Sequence, residues 1–96
     1  MTAAVLMIEF EIFIPAAQSL KDKRQVVASL QAGLRQTFKL PVAEVGFQDS
    51  WQRAQLALVT VGAERSAMLP LIDRIHDFIV SRLSGELLRF DVEWLK

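Results

Sequence analysis

An α+β sandwich, with two helices covering one face of a four-stranded antiparallel sheet, is predicted from three observations in a chain of 96 residues. Four stretches alternate apolar and polar side chains with the period of a strand. Two longer stretches repeat apolar residues three, four and seven positions apart, as one face of a helix does. The order is strand, helix, strand, strand, helix, strand, with no room for a linker, and it closes most simply as the split βαβ, ferredoxin-like arrangement. Residues 1–96 are expected to make one such domain, since a chain of this size supports a single core.

Each element has a local reason. From Val5 to Ile14 the residues Leu6, Ile8, Phe10, Ile12 and Ile14 fall on one side and Val5, Met7, Glu9, Glu11 and Phe13 on the other. Pro15 stops this strand because proline has no N–H for a ladder. Ser19 then offers a cap, with Asp22 three residues on as an imperfect capping box. Leu20, Val27, Leu30, Leu34 and Phe38 form the apolar stripe of a first helix that runs to Phe38 or Lys39, before Pro41. Val42–Gln48 sets Ala43, Val45 and Phe47 against Val42, Glu44 and Gly46, and Trp51–Val61 returns as its hairpin partner across Asp49 and Ser50. Met68, Leu71, Ile72, Ile75, Ile79 and Leu83 mark a second helix starting near Arg65 or Ser66, with Pro70 distorting its first turn or lying inside it. After Ser84 and Gly85, Glu86–Leu95 alternates Leu88, Phe90, Val92 and Trp94 with Leu87, Arg89, Asp91 and Glu93.

Composition removes several function classes. At 52% hydrophobic and 23% charged, with mean hydropathy +0.29, the chain is not disordered. Eleven Lys and Arg balance eleven Asp and Glu, so no whole-molecule field draws it to nucleic acid or to an anionic membrane. The absence of cysteine excludes a disulfide scaffold and a zinc–thiolate site, and His76 is the single histidine. No metal and no cofactor are expected. No apolar run reaches the roughly 18 residues of a membrane span and no leader pattern is present, so a soluble cytoplasmic protein without a membrane partner is expected.

Topology gathers the remaining charge. In this fold the loop after the first strand, the central hairpin and the turn before the last strand share one end of the domain. Residues 15–24, 48–53 and 82–86 are therefore predicted neighbours, carrying Lys21, Lys23, Arg24, Arg53 and Arg82 with the acids Asp22, Asp49 and Glu86. Along the first helix, Lys21, Arg24, Arg35 and Lys39 share a flank about 27 Å long, and from Ser19 to Lys39 five cations face one acid. Phosphate contact is the functional reading of that stripe, and a solvated flank is the bland one. Lys23 falls on the apolar side of the helix and is expected to reach the shared end in a structural ion pair, with Asp49 as partner. Trp51 either packs on the first helix or stands out as a stacking ring.

Other occupants of this fold leave marks that are missing. The loop Pro15-Ala16-Ala17-Gln18-Ser19 has no glycine to form a phosphate cradle, there is no Cys-x-x-Cys pair, and the third strand carries Gln55, Leu56, Ala57, Leu58 and Val59 where an RNA-stacking sheet needs aromatics. Glu9 and Glu11 lie about 7 Å apart on one strand, but with no histidine or nucleophile beside them they are expected to serve sheet solubility or cross-strand pairing with Arg89. His76 reads as an ordinary boundary residue. No catalytic residue is assigned, and the chain is not expected to be an enzyme. The uncovered sheet face is expected to carry Glu9, Glu11, Glu44, Asp91 and Glu93 among Val5, Met7, Phe13, Val42, Leu87 and Leu95, a mixture that a second copy would bury face to face or by edge pairing.

The run Phe13-Ile14-Pro15-Ala16-Ala17-Gln18-Ser19-Leu20-Lys21-Asp22-Lys23-Arg24 and the run Val42-Ala43-Glu44-Val45-Gly46-Phe47-Gln48-Asp49-Ser50-Trp51-Gln52-Arg53-Ala54 resemble the YlxP-like bacterial family, a domain of unknown function; Asp22 stands where glutamate is more usual. The resemblance covers nearly the whole chain. It implies a ferredoxin-like fold and, in many bacteria, a gene beside transcription and translation factors, including a ribosome-binding factor; no catalytic activity comes with it. The leading expectation is a non-catalytic accessory factor touching RNA or the small ribosomal subunit through Lys21, Arg24, Arg35, Lys39, Trp51 and Arg53. The alternative is a homodimeric protein-interaction or small-ligand module that uses the open sheet.

Overall fold

The computed structural model describes residues 2–96. It contains β1 (Ala4–Phe13), α1 (Leu20–Phe38), β2 (Val42–Gly46), β3 (Arg53–Gly62), α2 (Arg65–Arg82) and β4 (Glu86–Trp94). The strands form one sheet in the order β2-β3-β1-β4, every neighbouring pair antiparallel, so the molecule has the ferredoxin-like α+β arrangement.

β1 is the central organiser. Leu6, Ile8, Phe10 and Ile12 are buried toward the helices, opposite Thr60, Leu58, Leu56 and Ala54 of β3. α1 covers them with Val27, Leu30 and Leu34, and α2 with Met68, Ile75 and Ile79. Each large aliphatic side chain fully buried there contributes on the order of 2 kcal/mol of hydrophobic stabilisation. The helices approach closely at Gly33, where a Cβ would lie 2.9 Å from Cζ of Phe78.

Caps explain where α1 starts and stops. Ser19 is extended, and its hydroxyl accepts from the Asp22 amide at 3.0 Å. The Asp22 carboxylate accepts from the amide of Gln18 at 3.0 Å, one residue before the position a regular capping box would use. At the far end Lys39 adopts the left-handed region at φ 56° and donates its amide to the Arg35 carbonyl at 2.9 Å. α2 begins at Arg65 and runs through Pro70, its sixth residue, which leaves the carbonyl of Ser66 without its helical donor.

A bulge in β4 and the orientation of β2 decide which side chains of the outer strands face the helices. In β4 the pairing steps from Glu11↔Arg89 to Ile12↔Leu87, so Leu88 is an extra residue and Leu87 turns to the covered face instead of the open one. In β2, Val42 lies opposite Leu58 and Glu44 opposite Leu56, which puts both on the covered side, contrary to the alternation expected from sequence. This strand has apolar residues at both parities, so period alone does not orient it. Burial of Val42 and a partner for Glu44 beneath the helix do. The open face therefore carries Glu9, Glu11, Asp91 and Glu93 with Arg53 and Arg89, and it lacks Glu44.

Candidate functional site

The two characteristic runs meet at one end of the sheet. Ile14 donates its amide to the carbonyl of Gln52 at 2.7 Å. The Gln52 amide side chain returns across the gap and donates to the carbonyls of Pro15 at 3.0 Å and Ala17 at 3.3 Å. The loop after β1 is thus clipped to the β2–β3 hairpin by Gln52, a residue whose type and spacing do not announce the role. Its place inside the Gln-Asp-Ser-Trp-Gln-Arg-Ala run was the one available signal.

Lys23 supplies the second clip. It is fully buried, and its ammonium meets Glu44 Oε2 at 3.1 Å and the carbonyls of Phe47, Gln48 and Arg53 at 2.8, 3.2 and 3.3 Å. The ion pair is structural, as expected, but the partner is Glu44 and Asp49 takes no part. Glu44 faces the helix, whereas Asp49 stands exposed in the turn with Ser50, whose amide donates to the Phe47 carbonyl at 3.0 Å. Phe47 itself has φ 59°, a left-handed conformation costly for a bulky residue. The Lys23 ammonium on its carbonyl and the Arg53 guanidinium 4.2 Å over its ring hold it there.

The six residues assigned to partner contact separate into three groups. Lys21, Arg24 and Trp51 are exposed at the clipped end, Trp51 with 56% of its surface accessible. Arg53 is at the same end, but its guanidinium is engaged by the buried Glu11 carboxylate, its Nε donating at 3.1 Å. Arg35 and Lys39 lie at the other end of α1, with about 27 Å of helix rise between Lys21 and Lys39. Arg35 donates to the Val42 carbonyl at 2.6 Å and so ties the end of α1 to the start of β2.

The carboxylates of the open face are also engaged. Glu9 accepts from the Gln55 side chain at 3.1 Å, and Glu11 takes Arg53, not the Arg89 expected to pair there. Arg89 turns to Asp91 at 3.0 Å instead, because both project from the exposed edge strand while Glu11 is buried beside β3. His76 packs edge-on against Phe90, ring centroids 5.0 Å apart, with Nδ1 3.3 Å from Asp77. Among the described residues, no cluster of three His, Asp or Glu side chains is arranged to hold a metal, and no helix is long and apolar enough to cross a membrane.

Fold and site together define a ferredoxin-like α+β protein whose exposed tryptophan and basic helix start share one hairpin-clipped end. The chain belongs to the family described as proteins of unknown function, DUF503, whose model matches residues 5–92. It is 33% identical over 73 residues to the uncharacterized protein YlxP of Bacillus subtilis strain 168, covering 76% of this chain and 79% of that protein. The resemblance carried by residues 13–24 and 42–54 is thereby borne out. Among solved structures, the chain superposes on the Bacillus subtilis YXEP protein, a dinuclear metal binding peptidase from the M20 family, with a TM-score of 0.58 at 10% identity. That match covers 96% of this chain and 25% of the peptidase, and at such identity it shows the fold alone.

Proposed function

We propose that the protein is a non-catalytic accessory factor that contacts RNA or the small ribosomal subunit through the clipped end that carries Lys21, Arg24 and Trp51. The observation behind this reading is the pairing of an exposed indole with cations on the adjoining helix start. An exposed ring stacks a splayed base, worth about 1–3 kcal/mol per base, and neighbouring Lys and Arg hold the phosphates. Trp51 is the most exposed aromatic side chain on the described surface, and Lys23 ties its hairpin to α1 while Gln52 ties it to the loop before α1. Arg35 and Arg53 serve the fold in this scheme, and Lys39 is left as a distant auxiliary contact.

Co-sedimentation with purified small subunits over a salt series tests the proposal. Binding is expected at low salt and is expected to weaken steeply as salt rises. A K21A/R24A variant should bind more weakly, with a salt slope shallower by about two units, one for each phosphate contact removed. Absence of co-sedimentation at low salt, or binding unchanged in that variant, overturns it.

A further inference from the structure

The two edges of the sheet are unlike. β2 is five residues long, bulged, entered through Pro41 and held by Arg35. β4 is nine residues long, and from Glu86 to Trp94 it contains no lysine and no proline, the residues that most often blunt an exposed edge. Its outer backbone groups have no neighbouring strand. Four exposed apolar residues surround it. Leu88 and Val92 come from β4 itself, and Leu69 and Val80 lie on the flank of α2 where His76 meets Phe90, on the side away from the α1 contact at Phe78; each is between 39% and 53% exposed.

We infer that β4 is a dimerisation edge, on which the β4 of a second copy of this chain pairs antiparallel to extend the sheet to eight strands. The charges on the strand select both the occupant and the register. Arg89 and Asp91 face the open side and flank Phe90, which faces the helices. A two-fold axis through Phe90 therefore sets each Arg89 directly opposite the Asp91 of the second copy, twice over, with no like charges opposed. Shifting the axis to Arg89 or to Asp91 puts that residue against its own copy, and shifting it to Val92 sets Asp91 against Glu93. Only the Phe90 register is self-complementary, and it brings the exposed apolar side chains of both copies to the seam. Because the axis reverses the strand direction, the two Trp51-bearing ends point opposite ways. The dimer therefore stands apart from the RNA reading and does not rest on it.

Charge exchange tests this without touching the core, since Arg89 and Asp91 have 68% and 61% of their side chains exposed. Sedimentation velocity over a concentration series should show the unaltered protein as a dimer. R89D alone and D91R alone should each dimerise at least about tenfold more weakly, because two attractive cross-strand pairs become repulsive. An equimolar mixture of R89D and D91R should restore a dimer containing one of each, with the circular dichroism of both variants unchanged. A monomer at every concentration, dimers that persist in either single variant, or a mixture that stays monomeric overturns the inference.

Discussion

The Lys23 ammonium, fully buried, lies 3.1 Å from the Glu44 carboxylate and 2.8 Å from the carbonyl of Phe47, so one helical side chain closes the whole β2–β3 hairpin. An ammonium has three hydrogens, and four acceptors converge on it. A charge in that position is stable only while its partners stay in place. The hairpin that presents Trp51 is consequently held from inside the fold.

Lys23→Met keeps the length of the side chain but strands Glu44 and three carbonyls. It is expected to cost about 3 kcal/mol, the magnitude for breaking a buried pair from one side. Glu44→Gln keeps the carbonyl contacts and a neutral side-chain acceptor but leaves the buried ammonium without its counter-charge, so it should cost about 2 kcal/mol. Urea unfolding of both variants checks the difference, and equal losses would mean that the carbonyls contribute nothing.

Gly85 sits where the turn before β4 crosses the end of β1. A Cβ there would lie 2.2 Å from the Phe13 carbonyl oxygen, a backbone atom that cannot rotate away. Gly85→Ala should therefore destabilise by about 2 kcal/mol through forced backbone displacement. An unchanged thermal midpoint would show that the turn yields more easily than its packing implies.

Trp51→Ala and Arg35→Ala should separate binding from folding. The first removes an exposed ring and should change stability by less than about 0.5 kcal/mol, while weakening RNA binding about tenfold or more through lost stacking. The second breaks a charged hydrogen bond to Val42 and should cost about 1.5 kcal/mol of stability with RNA affinity intact. Parallel unfolding and RNA titrations give both readings, and the site assignment fails if the two variants behave in the opposite sense.

Ser19→Ala removes the acceptor for the Asp22 amide and is expected to cost about 1 kcal/mol. Ser19→Asp keeps an acceptor and should restore most of that loss in thermal unfolding.

Most of the fold was legible because its signals are local. Alternation in β1, the stripe Val27, Leu30 and Leu34, the Ser19 cap and the Gly85 turn act within a few residues of one another, and they name the elements to within two or three positions. The meeting of the two characteristic runs followed from topology alone. The covered position of Leu87 did not follow, because a bulge resets parity without leaving a mark in the alternation, and the side of β2 did not follow because that strand carries apolar residues at both parities.

The sequence by itself determined the order of elements, the face of β1 that is buried, the cap that starts α1 and the family to which the chain belongs. Only the tertiary structure decided which cations are spent. A guanidinium or ammonium looks the same in a sequence whether it faces solvent or a carbonyl 30 residues away, and packing brought Arg53 to Glu11, Arg35 to Val42 and Lys23 to Glu44. The free positive charge at the hairpin end is therefore smaller than the composition of those segments implies. It rests on Lys21 and Arg24, on the helix start against which the hairpin bearing Trp51 is clipped, and on the exposed Arg82 at the end of α2, whose guanidinium lies 5.1 Å from the centre of the Phe78 ring.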